Sequence, residues 1–184
     1  MKSEHTPRAA PAASGRKVVR LAGTAKPVQR LRRISFGATA AIVTSMGVIV
    51  GLNAATAQRA TIIGSLLIIA LADNLTDSLG VHVYQESERL AEQQAFRTTV
   101  ANFATRLLVS LSFVAIVALI PTAARAILAS LVWGSLLLAG LSYLLAKERE
   151  VAAWSEICKH CAVAAIVIAL SAAIGTWIPR WLGG

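Results

Sequence analysis

Charged residues are scarce in this sequence, and aromatic residues are scarcer still. Asp, Glu, Lys and Arg make up 15% of the 184 residues, and Phe, Trp and Tyr make up 5%. About a quarter of the residues of a typical soluble domain are charged. Hydrophobic residues make up 56% of the chain, and the mean hydropathy is +0.65. This balance excludes an ordinary soluble domain and indicates an integral membrane protein.

The sequence also lacks the short motifs of common enzymes. It has no GxSxG, HExxH, P-loop or glycine-rich dinucleotide turn, so we expect no enzyme and no bound cofactor. Its two cysteines, Cys158 and Cys161, are too few for a disulfide framework. With His160 they still fall short of the four ligands of a structural zinc site. We expect them to be small buried residues near the membrane interface; the alternative is a transient metal or redox role.

Basic residues are concentrated at the amino terminus, where nine of the 18 Lys and Arg precede Ile34. Residues 1–33 are rich in Ala, Pro and Gly and show no periodicity, which predicts a disordered arm. Because this charge adjoins a hydrophobic body, we expect it to contact the anionic head groups of a lipid bilayer rather than nucleic acid.

Long apolar runs predict an all-α, polytopic membrane domain over residues 34–184. A helix needs about 20 residues to cross about 30 Å of hydrocarbon, and lipid-exposed backbone must satisfy its own hydrogen bonds. A short acidic segment, 85–97, separates the second and third predicted spans. The five spans cover residues 36–55, 61–84, 99–121, 124–146 and 161–182.

The distribution of basic residues predicts the orientation of the chain. If the amino terminus lies inside, fourteen Lys and Arg lie on the inner side, and only Arg59, Arg125 and Arg180 lie on the outer side. The positive-inside rule therefore places the amino terminus in the cytoplasm and the carboxyl terminus outside. The Ala-rich composition and the basic arm favour a prokaryotic cell membrane.

Three charged residues lie deep in the predicted spans: Asp73, Asp77 and Arg106. Each costs roughly 2.5–3.5 kcal/mol at a helix centre, so each needs a partner, water or a function. Asp77 and Arg106 each lie seven residues from the inner ends of antiparallel helices 2 and 3, so we expect them to pair. Asp73, with the amide oxygen of Asn74, is then the freer cation or proton site. The alternative is that the whole cluster is a neutralised structural contact.

Helix 1 has small residues on one face and Met46 on another. Gly47 and Gly51 form a GxxxG pair that lets helices approach closely, either within one chain or at a dimer seam. A thioether is a soft ligand, so Met46 would help to select Fe(II) or Mn(II) over Mg²⁺. The alternative is that Met46 fills space in an apolar core.

Two stretches resemble the vacuolar iron transporter family. IIGSLLIIALADNLTDSLGVHVYQESE (62–88) resembles the second helix of that family with its acidic cytoplasmic extension, and RLLVSLSFVAIVALIP (106–121) resembles the third. The resemblance implies five helices, a homodimer and export of divalent iron or manganese from the cytoplasm in exchange for protons. It also implies that Glu88 and Glu92 load cations at the cytoplasmic mouth. The Asp that the family typically has in helix 1 has no counterpart in the matching stretch, residues 35–38.

The residues and the resemblance together favour a multi-pass transporter of divalent metal cations. Arg106 is expected to be a structural or gating partner of the metal site. The alternatives are a non-transporting membrane scaffold that has lost the metal site and a carrier of a small organic solute, for which few aromatic residues are present. The candidate metal-site residues are Asp73, Asn74, Asp77, Glu88, Glu92 and Met46.

Reporter fusions test the predicted orientation. Alkaline phosphatase, which is active only outside the cytoplasm, should be active when fused after Gly184 and inactive when inserted within residues 149–152. A fluorescent protein that matures only in the cytoplasm should give the reverse pattern at the same two sites. Phosphatase activity at 149–152 would contradict the predicted orientation.

Overall fold

The computed structural model describes residues 27–87 and 92–182, without the side chains of residues 27–36, 92, 94, 95 and 182. All of the regular structure in these ranges is helical, which confirms the all-α prediction. The first helix takes in residues 27–33 of the predicted arm, with Pro27 in the first turn, where proline is well tolerated. The helices are α1 (Pro27–Ala54), α2 (Arg59–Ser87), α3 (Glu92–Leu119), α4 (Ala123–Glu148) and α5 (Ala153–Leu182).

Each helix is long and apolar enough to cross a membrane. The five contain 28, 29, 28, 26 and 30 residues, so each is about 40 Å long. Every one contains a window with the hydropathy of a membrane span. The chain is therefore a multi-pass integral membrane protein, and its helices extend beyond the hydrocarbon core.

Two short connections, residues 55–58 and 120–122, meet at one end of the bundle. Thr56 adopts a positive φ of 59° in the first connection, where the amide of Ala57 donates to the carbonyl of Leu52. The Arg59 guanidinium donates to the carbonyl oxygen of Ile120 just beyond the end of α3. The last carbonyl groups of a helix have no hydrogen-bond donor within the helix. The Arg59 side chain supplies a donor at this position, so it joins the start of α2 to the connection that follows α3. We call this end of the bundle the hairpin end and the opposite end, where α1 begins, the arm end.

Helix α1 is the centre of the bundle, since it packs against each of the other four helices. Apolar side chains from α1 to α5 form one core around it. Met46 is 1% exposed, and its sulfur lies directly over Gly134 of α4, where any added Cβ would overlap it. The core cluster comprises Ile42, Met46, Ile49, Ile62, Leu66, Phe113, Val117, Leu138 and Ala164.

The small face of α1 packs against α5 of the same chain. Gly47 and Gly51 lie against Ser171, and Gly175 lies against the backbone carbonyl of Gly51. Of the two uses that the GxxxG pair left open, the structure shows close packing within one chain.

Polar and apolar residues are distributed as lipid requires. Large apolar side chains such as Ile68, Leu108 and Leu136 are more than half exposed on the outside of the bundle. The interior contains buried polar side chains, which would be costly to expose to hydrocarbon. These are Ser45, Asn74, Ser78, Gln85, Asn102, Arg106, Ser110, Ser130 and Ser142.

Two glycine substitutions test the α1–α5 contact. We expect Gly175→Ala to destabilise the protein by about 1–3 kcal/mol, because the new methyl group would overlap the carbonyl of Gly51. Gly140→Ala is the matched control, since Gly140 is also helical and has open space around its Cβ position. The control should be neutral or stabilising by up to about 1 kcal/mol. Unfolding in detergent measures both; equal stability of the two variants would contradict this packing.

Candidate functional site

The buried guanidinium of Arg106 organises the only ionised cluster that the structure describes deep in the spans. Arg106, on α3, is 1% exposed and donates three hydrogen bonds to one turn of α2. Its Nε donates to Asn74 Oδ1 at 2.8 Å, and its Nη2 donates to Asp73 Oδ2 at 2.7 Å. Its Nη1 donates to Asp77 Oδ2. Residues three and four apart share a helix face, so all three acceptors can face α3.

The pairing differs in one respect from the prediction. Arg106 and Asp77 form the ion pair that their equal depth predicts. Arg106 also holds Asp73 and Asn74, so Asp73 is not the freer residue and the Asn74 oxygen is already used. The physical reason is that a guanidinium has five N–H donors in a planar fork, enough for several acceptors at once.

Two carboxylates against one guanidinium leave the cluster with a formal charge of −1 when both are ionised. The side chains of Asp73 and Asp77 are 44% and 42% exposed, whereas the Arg106 side chain is 1% exposed. Arg106 contacts one oxygen of each carboxylate. Each Asp side chain is therefore half-exposed even though one of its oxygens is bonded to Arg106.

An open cavity of about 450 Å³ adjoins the cluster between α2 and α3. It reaches from Arg106 and Asp77 to Tyr84, which lies seven residues further along α2, about 10 Å closer to the arm end. At about 30 Å³ per water molecule, the cavity has room for several. Its lining comprises Thr76, Asp77, Gly80, Val81, Tyr84, Asn102 and Arg106.

Two residues that lie beside the cluster were not among the predicted site residues. Asn102 is 3% exposed and lies one turn before Arg106 on α3. Gly37 of α1 lies against both side chains, so that an added Cβ would overlap Asn102 Oδ1. The i, i+4 spacing of Asn102 and Arg106 is the sequence signal for the first. The small residues on one face of helix 1 indicate that α1 approaches another helix closely, but not which helix, because that depends on how the helices pack.

The remaining predicted site residues lie elsewhere or outside the described side chains. Met46 packs among apolar residues of the core and not with the residues that Arg106 bonds. Glu88 lies outside the described residues, and Glu92 begins α3 without a described side chain. No group of three or more His, Cys, Asp and Glu suited to a metal ion occurs in the described part of the chain.

The cysteine segment at the start of α5 does not form a ligand cluster. Cys158 is an exposed free thiol rather than the buried residue that we expected, and Cys161 is a half-buried free thiol. His160 contacts Ser142 of α4 through its Nδ1 at 2.7 Å. The segment therefore links α5 to α4 near the arm end.

Comparison of the chain with family models, curated proteins and solved structures gives no match. The chemistry of the Arg106 cluster is therefore the basis on which a function can be proposed.

Removal of charge in two steps tests the cluster. Arg106→Met should destabilise the protein by about 3–5 kcal/mol, because it leaves two carboxylates in the span without their counter-ion. The triple variant Arg106→Met, Asp73→Asn, Asp77→Asn should recover most of that loss, since no ionised group then remains. Unfolding of the purified protein in detergent measures both effects.

Arg125→Met is the matched control for this experiment. Arg125 is an exposed arginine in the first turn of α4, so its loss should change stability by no more than about 0.5 kcal/mol. If the triple variant is no more stable than Arg106→Met, the charge balance that we describe is wrong.

Proposed function

We propose that this chain transports divalent metal cations, iron or manganese, out of the cytoplasm in exchange for protons. The observation that carries the proposal is the pair of half-exposed carboxylates beside a cavity in the middle of a membrane span. Asp73 is the central residue of α2, the depth at which an ionised group is most costly. Acidic oxygens kept there at such a cost are typical of ion and proton pathways.

Charge balance supports a coupled exchange. Arg106 offsets one of the two carboxylates, so the cluster has room for one further positive charge. In a single chain, one proton bound to the cluster supplies that charge. Two such clusters facing each other in a homodimer would together balance one divalent cation or two protons. The exchange of one divalent cation for two protons would then be electroneutral.

A homodimer also accounts for the exposure of the carboxylates. Asp73 and Asp77 would otherwise present ionised oxygens to lipid, a contact that membrane proteins avoid. A second copy facing this side of α2 would enclose the two clusters. Membership of the vacuolar iron transporter family, a cytoplasmic amino terminus and a prokaryotic cell membrane belong to the same proposal.

The proposed route for the cation begins at the arm end. Glu88 and Glu92 would raise the local concentration of cations there, and the 450 Å³ cavity gives access from that side to Asp77. Carboxylate oxygens suit divalent cations such as Mn(II) and Fe(II). Met46 lies in the apolar core, so the proposed route does not use it.

A second candidate function is a non-transporting membrane scaffold. The observation that favours it is that Arg106 satisfies all three neighbouring acceptors, as a purely structural cluster would require. The absence of a three-residue ligand group from the described part of the chain points the same way.

Metal uptake by proteoliposomes distinguishes the two functions. The wild-type protein should carry Mn(II) or Fe(II) into vesicles that contain a metal-sensitive dye, at a rate that depends on the pH gradient. Asp73→Asn and Asp77→Asn should each keep the fold, because a single Arg–Asp pair is neutral, and should each reduce uptake to that of protein-free vesicles.

Glu150→Gln is the control variant for uptake. Glu150 is an exposed acid in the connection between α4 and α5, far along the chain from the cluster. Metal uptake by the Glu150→Gln variant should therefore equal uptake by the wild type. A folded wild-type protein that carries neither metal would support the scaffold. Normal uptake by both Asp variants would show that the cluster is not the transport site.

A further inference from the structure

Four polar side chains on one face of α2 have buried polar atoms without a hydrogen-bond partner. We call Asn74, Ser78, His82 and Gln85 the polar row. The unpartnered atoms are Asn74 Nδ2, Ser78 Oγ, His82 Nδ1 and Gln85 Oε1. Three of these residues are at most 5% exposed, and α3 and α1 are the helices that pack against α2. The polar row is therefore a continuous feature of a helix interface within the membrane.

Chance does not explain such a row. Each buried polar atom without a partner costs about 1–3 kcal/mol, and native proteins relieve that cost with internal water. Among the described side chains, only Ser130 and Glu148 have other atoms of this kind. Neither residue is on α2.

The spacing of the polar row matches single water molecules. Asn74, Ser78 and His82 are four residues apart, which places successive side chains about 6 Å apart along the helix axis. A water molecule that makes two hydrogen bonds of about 2.8 Å spans nearly the same distance. One water between each pair would satisfy the hydroxyl, amide and imidazole atoms in turn.

The polar row has the ionised cluster at one end and the surface at the other. Asn74 Oδ1 accepts from Arg106 Nε at 2.8 Å, so the row starts at the cluster. His82 Nδ1 is buried, whereas its Nε2 lies 3.4 Å from the Glu86 carboxylate, which is 57% exposed. The imidazole therefore connects the interior of the row to the water at the arm end.

We propose that the polar row binds a file of internal water molecules that conducts protons between the arm end and the Asp73–Asp77 carboxylates. A proton leaves a carboxylate oxygen, is passed by exchange of hydrogen bonds along the file and through the His82 imidazole, and is released at the arm end. At each transfer one O–H or N–H bond breaks as another forms, so no other reactant is needed. This role rests on the proposed exchange, but the hydration of the row does not.

Protons and cations would then use different faces of α2. The cavity beside Asp77 is lined by Thr76, Gly80 and Tyr84, and none of them belongs to the polar row. An exchanger gains from this separation, because a carboxylate can release its proton toward the arm end while a cation occupies the other route.

Thiol deuteration tests the hydration without any transport. In a background with Cys158→Ala and Cys161→Ala, Ser78→Cys and Ser142→Cys each introduce one buried thiol whose S–H to S–D exchange in D₂O is followed by infrared spectroscopy. Ser142 is the matched control because it is 1% exposed and its hydroxyl already bonds to the Leu138 carbonyl and to His160, so it needs no water. The Ser78→Cys thiol should exchange at least about tenfold faster. Equal exchange rates would overturn the water file, whatever the transport assay shows.

An isosteric pair of variants tests conduction. Ser78→Thr keeps a hydroxyl, whereas Ser78→Val replaces it with a methyl group of the same shape. In metal-driven proteoliposomes that contain a pH dye, Ser78→Val should slow proton movement at least about tenfold, a change of about 1.4 kcal/mol in barrier. Ser78→Thr and Ser130→Val should keep the wild-type rate. Unchanged proton movement in Ser78→Val would overturn the conducting role even if the thiol exchanges rapidly.

Discussion

The buried guanidinium of Arg106 is the constraint on which the middle of this bundle depends. It sits in the interior of a membrane protein and holds Asp73, Asn74 and Asp77 from one turn of the neighbouring helix. An arginine there is tolerable only with such partners, and the two aspartates need it equally. The rotation of α2 about its axis and the depth of α3 are therefore fixed relative to each other at this level. Gly37 completes the arrangement, because only a residue without a Cβ lets α1 approach the same side chains.

The cluster is asymmetric, and the proposed function depends on this asymmetry. Arg106 is fully enclosed, while the two carboxylates turn half of their surface outward. A purely structural cluster would place all three groups inside, because burial keeps every hydrogen bond away from water and lipid. Beside the carboxylates lies a cavity toward one end of the bundle, and behind Asn74 lies a line of polar atoms toward the same end. Both features end at residues that Arg106 holds, the cavity at Asp77 and the polar row at Asn74.

Apolar runs of about twenty residues predicted all five helices, because only helices satisfy their own backbone in lipid. Hydropathy detects only the apolar part of a helix, so these runs could not predict the helix ends. Helix α1 begins at Pro27 and α2 continues to Ser87, and both positions lie outside the apolar runs. Equal depth placed Asp77 opposite Arg106, but depth does not determine how a guanidinium shares its donors, so the bonds to Asp73 and Asn74 were missed. His82 was not among the predicted site residues. His82 belongs to the polar row because of the way α3 packs against α2, and the sequence of one helix does not reveal that packing.

The bond from Arg59 to the carbonyl of Ile120 has a mechanical consequence. It fastens the start of α2 to the end of α3 at the hairpin end, where the guanidinium occupies an acceptor that the helix cannot satisfy itself. The chain itself joins the same two helices at the arm end, where only residues 88–91 separate Ser87 from Glu92. Because α2 and α3 are tied at both ends, any widening of the space around Asp77 would be a bowing of the helices between those ends.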